Sequence, residues 1–201
     1  MTDRRPAGGG LTRVVLVVPA AEVTASHDTP GQYVEVRADG QTGYFVLSSD
    51  PGNSPWELVM RDGGGASNVL LVMALPATVE VTAAIGAGFP MREVRGRELL
   101  VALGGTGIAA GPPIVRRRIG DGDARLTRVW VGARGDELPL AEEIDAWRGA
   151  GVQVTVAAGF VDEAMQAHIV AAPEAPIFAV GADAMVAALR SLAPGRVHTN
   201  H

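Results

Sequence analysis

The stretch Leu99-Leu100-Val101-Ala102-Leu103-Gly104-Gly105-Thr106-Gly107-Ile108 reads as an apolar strand running directly into a glycine-rich turn and then a helix. An unbroken apolar run suits a strand buried on both faces, as in a parallel sheet covered by helices. Glycines at a strand-to-helix turn let backbone N–H groups approach a ligand closely. The helix N-terminus adds a potential that favours a phosphate anion. The same turn serves equally well as a plain chain reversal whose glycines take left-handed backbone angles. The turn alone does not separate the two readings, so its surroundings must.

Downstream the same alternation repeats. Apolar strands are predicted over residues 98–103, 127–131, 152–156 and 177–180, with a short terminal strand over 196–199. Helices are predicted over 108–119, 139–149, 162–171 and 183–192. This alternation predicts that residues 96–201 form a doubly wound α/β domain with a mostly parallel sheet. Upstream, short Val-rich runs over 13–18, 32–38, 43–47, 56–61 and 78–82 are divided by turn-forming clusters such as Asp28-Thr29-Pro30-Gly31, Ala38-Asp39-Gly40 and Asp62-Gly63-Gly64-Gly65. Closely spaced short strands predict an antiparallel β-barrel over 11–95, interrupted by one helix at 67–74 that Ser67 can cap. Residues 1–10 read as a flexible N-terminus, and the charged stretch 91–97 as a hinge.

Composition narrows the chemistry. The chain has 201 residues and no Cys, which excludes disulfides, thiolate nucleophiles and Cys-ligated metal or iron–sulfur sites within it. All 17 basic residues are Arg, so Schiff-base and P-loop lysine mechanisms are excluded as well. A net charge of −5 argues against nucleic acid as a partner. No signal-peptide core and no membrane-span-length apolar run is present, and the expectation is a soluble, cytoplasmic protein.

Three segments following predicted strands make the phosphate reading sharper: Gly104-Gly105-Thr106-Gly107-Ile108-Ala109, Val131-Gly132-Ala133-Arg134 and Val180-Gly181-Ala182-Asp183-Ala184-Met185. In that order they resemble the nicotinamide-nucleotide domain of the ferredoxin-NADP reductase superfamily. The upstream half resembles the flavin-binding barrel of the same superfamily. Pro30-Gly31-Gln32-Tyr33 is similar to its P-G-Q-Y/F strand start, and Phe45-Val46-Leu47-Ser48-Ser49 falls at its flavin strand. Gly63-Gly64-Gly65-Ala66-Ser67-Asn68 resembles its phosphate loop and helix, and Ile85-Gly86-Ala87-Gly88-Phe89 its barrel-closing segment.

The resemblance implies FAD held by the barrel and NAD(P)H by the α/β domain, with hydride passed from nicotinamide to flavin and electrons passed to an unidentified acceptor or redox partner protein. The implied cofactor-binding residues are Phe45, Val46, Leu47, Ser48, Arg61, Gly63 to Asn68, Gly104 to Ile108, Gly132, Arg134, Gly181, Asp183, Met185 and His201. No catalytic acid or base and no metal ligand is implied. The sequence departs from the family pattern at the R-x-Y-S/T motif, where Gly43, Phe45 and Val46 stand in place of the Arg, the Tyr and the hydroxyl residue. Phe45 keeps an aromatic face, but the charge-assisted phosphate contact of the arginine is missing. Val180 and Ala182 replace a common Cys and Pro, and His201 stands where a closing aromatic is usual. A flavin-free relative acting as a nucleotide-binding or electron-transfer-complex subunit is the rival reading.

Arg61 can take over the lost diphosphate contact, because its planar fork suits phosphate, or it is a solvated strand-end charge. Arg134 suits an adenosine 2′-phosphate, whereas the following Asp136 and Glu137 suit a free ribose hydroxyl, and the choice between NADH and NADPH stays open. The four histidines lack metal-site spacing and read as scattered surface residues. Arg116, Arg117 and Arg118 read as solvated last-turn cations or as part of a docking face. The three Trp residues read as core or half-buried anchors. A homodimer is the default assembly on the frequency of symmetric dimers.

Overall fold

The computed structural model describes residues 1–133 and 137–200. Its first half is built from six strands: β1 (Asp3–Gly8), β2 (Leu11–Leu16), β3 (Tyr33–Ala38), β4 (Gln41–Val46), β5 (Trp56–Met60) and β6 (Glu80–Val81). They form two antiparallel three-stranded sheets, ordered β1-β2-β5 and β4-β3-β6. An antiparallel bridge between Leu47 and Leu58 joins the two. Alternate residues such as Val14, Leu16, Val34, Val36 and Leu58 point into one shared core around the fully buried Trp56. The short helix α2 (Ala66–Val72) inserts Leu70 into that core.

Residues 1–10, expected as a flexible lead-in, instead supply β1. Its charged, Pro-containing sequence hid it, but Pro is tolerated on the edge strand of a sheet, where β1 lies. A five-residue helix, α1 (Ala21–Ala25), was also not anticipated; it is too short for a 3.6-residue period to register.

The second half is a five-stranded parallel sheet of β7 (Leu99–Leu103), β8 (Thr127–Gly132), β9 (Gln153–Ala157), β10 (Ile177–Val180) and β11 (Val197–His198), in the order β11-β10-β7-β8-β9. Every residue of β7 is buried. Leu99, Val101 and Leu103 face a core shared with α3 (Gly111–Gly120) and α4 (Ala141–Gly149). Leu100 and Ala102 face the opposite core, with α5 (Val161–Ala171) and α6 (Asp183–Leu192). A strand covered on both sides needs apolar residues at consecutive positions, which explains the unbroken run from Leu99 to Leu103. Ahead of α3 the chain makes a 3-10 turn over Gly105–Ala110, so the α-helix proper begins at Gly111 rather than at Ile108.

The arginine run does not behave as a solvated cluster. Arg118 is fully buried: its Nε donates to Thr127 Oγ1 at 2.9 Å, and its other nitrogens reach Asp123 Oδ2 at 2.8 Å and the carbonyls of Val94 and Arg97 at 2.5 and 2.6 Å. Asp123 Oδ2 also accepts from the Gly96 N–H at 2.8 Å. The stretch 91–97, expected as a hinge, is thereby pinned to α3. Such a guanidinium is tolerated in the core because each charge-bearing group it meets is hydrogen-bonded. Arg117 pairs with Asp121, while Arg116 crosses to the first half, donating to Asp50 Oδ1 at 2.7 Å and to the Ser48 carbonyl at 3.0 Å.

Among the described residues no helix is long and apolar enough to cross a membrane.

Candidate functional site

The parallel sheet reverses its order between β7 and β10, and a ligand crevice in a doubly wound sheet opens at that point, outside the C-terminal ends of the strands. Gly104, Gly132 and Gly181 converge there. A Cβ on Gly181 would lie 3.1 Å from the Gly104 Cα, and one on Gly132 would lie 3.8 Å from it. Gly107 is tighter still, since a Cβ would stand 2.2 Å from the Val180 carbonyl oxygen. These glycines let the turn lie against the end of β10. The exposed part of the turn is Gly105, with φ of +57°, together with Thr106.

Facing this turn is the end of β5. The Nη2 of Arg61 lies 3.8 Å from where a Gly105 Cβ would be. Arg61 is exposed and makes no hydrogen bond or ion pair among the described residues. Behind it, Gly63, Gly64 and Gly65 form an exposed loop leading into α2, with φ of +89° at Gly64 and +59° at Gly65. Asn68 Oδ1 accepts from the Gly64 N–H at 2.8 Å and from the Gly63 N–H at 3.3 Å, and Ser67 Oγ donates to the Gly64 carbonyl at 2.7 Å. Arg61 therefore stands just ahead of one glycine-rich loop in the chain and reaches toward the glycine turn of the other half.

A cavity of about 460 Å³ opens beside β4, lined by Tyr33, Tyr44, Val46 and Asn200. Its residues are brought together by hairpin register. Asp39 and Gly40 both have positive φ, as a two-residue hairpin turn requires. The turn pairs Tyr33 with Val46 and Glu35 with Tyr44, which puts Tyr33, Tyr44 and Val46 on one face. Asn200 arrives from the C-terminal tail, where its side-chain amide donates to the Gly31 carbonyl at 3.2 Å.

No family model matches the sequence. Among solved structures, the Amycolatopsis cytochrome P450 reductase GcoB superposes on 99% of this chain and 67% of its own, with a TM-score of 0.84 and 22% identity. The Flavohem-like FAD/NAD binding domain of nitric oxide dioxygenase from Vibrio cholerae O1 biovar El Tor gives a TM-score of 0.81 over 98% of this chain and 94% of its own, at 16% identity. The ferredoxin-NADP+ reductase of Plasmodium falciparum gives 0.78 over 98% and 93%, at 10% identity. The fold is that of the ferredoxin-NADP reductases. Among curated proteins, the electron transfer subunit of dihydroorotate dehydrogenase B (NAD(+)) from Shouchella clausii (strain KSM-K16) is 30% identical in an alignment of 122 positions that covers 56% of this chain and 46% of that protein. The chain spans about half the length of that curated relative.

Within the reductase fold the residues singled out from sequence separate into groups. Arg61, the loop 63–65, Asn68, Gly105 and Thr106 are exposed, with Arg61 reaching toward Gly105 and Asn68 bonded to the loop, and Asp183 is exposed at the start of α6. Gly104, Gly107, Gly132 and Gly181 hold strand ends together, with Met185 buried against Gly104 and Gly181. Ile108, Leu47 and Ala66 are core residues. Ser48 and Ser67 are buried; the Ser48 hydroxyl, like that of Ser49, has no partner among the described residues, and the Ser48 carbonyl serves Arg116. Val46 lines the cavity, whereas Phe45 faces the other way. Arg134, Asp136 and His201 lie outside the described residues.

The histidines are not uniformly on the surface: His27 is fully buried. Among the described residues no group of His, Asp and Glu is arranged to hold a metal ion. All three Trp residues are core. Tyr44 and Asn200 were not singled out from sequence, and Tyr33 only as part of the strand start Pro30-Gly31-Gln32-Tyr33, although counting back from the Asp39-Gly40 turn would have placed both tyrosines beside Val46.

Proposed function

We propose that this protein is a flavin-dependent NAD(P)H oxidoreductase that takes a hydride from the nicotinamide onto FAD and hands the electrons to a separate acceptor. The observation that carries this reading is Arg61, an exposed cation with no partner among the described residues, just ahead of the loop 63–65 and reaching toward Gly105. An exposed cation without a partner beside a glycine turn suits phosphate. It answers the absence of an arginine at Gly43, where a Cβ would come within 2.8 Å of the outer carbons of the Phe45 ring, so that the ring would have to shift.

The residues present fit the two cofactors. Positive φ at Gly64, Gly65 and Gly105 gives two cradles in which a side chain would be strained, and the cavity of about 460 Å³ beside β4 lies within the usual range for small-molecule sites. FAD, when bound, supplies the chemistry of accepting a hydride and releasing its electrons one or two at a time. The protein's part is orientation: Arg61 and the 63–65 loop bind the diphosphate, the 105–106 turn binds the nicotinamide nucleotide, and the two halves hold the ligands facing one another. No side chain has to move a proton. The acceptor is proposed to be a partner protein, in keeping with the curated relative's role as an electron transfer subunit.

The test is the visible absorption spectrum of the purified protein after incubation with FAD and removal of free ligand. The expected result is a retained flavin spectrum that bleaches anaerobically on adding NADH or NADPH. A folded protein that retains no flavin would overturn the proposal.

A further inference from the structure

The cavity wall raises a question that the family pattern does not answer, namely which aromatic ring meets the flavin. Phe45 occupies the expected position in sequence, yet its ring folds back over Gly43, with its outer carbons 2.8 Å from where a Gly43 Cβ would lie. That same Cβ position is 3.2 Å from Ala66 on α2, and Phe45 pairs directly with the buried Val34. Phe45 therefore belongs to the face of β4 that packs on the barrel core. Tyr44, one residue earlier, points to the opposite face because side chains alternate along a strand.

Tyr44 is 64% exposed, which is unusual for a ring of its size, and it lines the cavity together with Tyr33, Val46 and Asn200. Its orientation is also braced by its neighbours. Its hydroxyl donates to Glu35 Oε2 at 2.7 Å, Glu35 Oε1 accepts from Arg37 Nε at 2.7 Å, and the Tyr33 ring meets it edge to face at 6.1 Å. The bond from Tyr44 holds the Glu35 carboxyl below its ordinary range, and the same bond raises the Tyr44 phenol above its own. Donor and acceptor thus keep their roles at neutral pH. A large, exposed ring braced by its own hydrogen bond is preorganised for a flat ligand, because little rotamer freedom remains to be lost on binding.

We propose that Tyr44, and not Phe45, is the aromatic wall for the isoalloxazine ring, with Glu35 acting as the positioning residue that fixes its orientation. Val46 forms the apolar side of the cavity, and Asn200 presents a polar edge from the C-terminal tail. The inference rests on the flavin reading given above, but it concerns a different set of residues from the diphosphate site at Arg61. The aromatic function has moved by one residue along β4. Gly43 frees the core face for Phe45, so the strand can spend Tyr44 on the ligand.

The test is a titration of the full chain with FAD, following flavin fluorescence, in the wild type and in Tyr44→Leu, Tyr44→Phe and Phe45→Leu. A ring stacked on the flavin quenches its emission, so affinity and emission report the contact without any turnover. The expected result for Tyr44→Leu is FAD binding about fivefold to tenfold weaker with a brighter bound flavin. Tyr44→Phe keeps the quenching and loses about twofold in affinity, which reflects the missing brace from Glu35. Phe45→Leu leaves the bound emission unchanged. Wild-type binding with an unaffected Tyr44→Leu and a brightened Phe45→Leu would overturn this inference alone. A folded wild type that binds no FAD would overturn the flavin reading, and this inference with it.

Discussion

His27 shows how a single residue can depart from what its neighbours suggest. It follows the exposed-looking sequence Thr24-Ala25-Ser26 and precedes a turn, yet it is fully buried, edge-on to Trp56 at 6.3 Å between ring centroids. Neither ring nitrogen has a partner among the described residues. Burial pushes its pKa down to about 4, with Asp28 and Asp50 pulling weakly the other way. In the unfolded chain the imidazole titrates near 6.5, so between that pH and about 4 the unfolded state binds the proton and the folded state does not. Stability contributed by the neutral ring is complete above 6.5 and is lost as pH falls toward 4. The expected slope is about 1.4 kcal/mol per pH unit and the total up to about 3 kcal/mol. Urea unfolding at several pH values checks this, with His27→Leu expected to flatten the slope in that window. An unchanged slope in His27→Leu would assign the acid sensitivity elsewhere. Nothing in the local sequence marks His27 or Arg118 as buried, because barrel closure and the packing of residues 91–97 on α3 bury them, and both are contacts between distant segments.

At the scale of the element, the turn after β7 divides its glycines by task. Gly107 has no room for a methyl group, since a Cβ would sit 2.2 Å from the Val180 carbonyl oxygen, whereas a Cβ on Gly105 meets nothing nearer than Arg61 at 3.8 Å. Gly107→Ala is expected to force the turn away from β10 and to cost about 3 kcal/mol or more in chemical denaturation, more than Gly105→Ala. Gly105→Ala should cost only the strain of a left-handed residue, about 1–2 kcal/mol. Equal losses for the two variants would contradict this division. The sequence pattern alone does not distinguish Gly105 from Gly107, since the difference lies in what β10 places beside them.

The elements themselves were legible where burial is two-sided and the run long. Residues 177–180 and 183–192 were predicted with the bounds that β10 and α6 have, and β7 differs from its expected range by the one residue Glu98. β1 was not legible, because an edge strand needs no apolar alternation and its pairing with β2 is a relation between two segments. The proposed site follows the same rule. Its glycine loops and Arg61 could be read from local pattern, while Tyr44 required the hairpin register, and Asn200 required knowing where the C-terminal tail runs.

At the scale of the whole molecule, the two halves are joined by several distinct contacts. Arg13 on β2 links Glu57 on β5 to Glu143 on α4, the Leu140 N–H donates to the Ala7 carbonyl at 2.7 Å, and Arg116 reaches Asp50 at 2.7 Å. The apolar centre of the junction is Phe89, from the segment closing the barrel, stacked on Phe178 of β10 with centroids 4.5 Å apart and planes 21° from parallel. Both rings are fully buried, and Gly31 is constrained to be glycine beside them, since a Cβ there would lie 2.5 Å from the Phe89 ring. Partly exposed pairs such as Arg116 with Asp50 contribute about 1 kcal/mol or less, whereas removing a buried Phe side chain costs about 3–5 kcal/mol. The stacked rings are therefore expected to dominate the coupling between the halves. Wild type should unfold in one calorimetric transition, with calorimetric and van't Hoff enthalpies equal. Phe89→Ala should lower stability by about 3–5 kcal/mol and separate the barrel from the α/β sheet into two transitions. Trp56 reports the barrel, and Trp130 and Trp147 report the sheet. If the variant melts in a single transition close to the wild-type temperature, the polar contacts hold the halves together and the aromatic stack does not. Because the proposed ligands meet between the halves, the same variant should also lose affinity for FAD and NAD(P)H together, whereas a change confined to one loop would weaken only one of them.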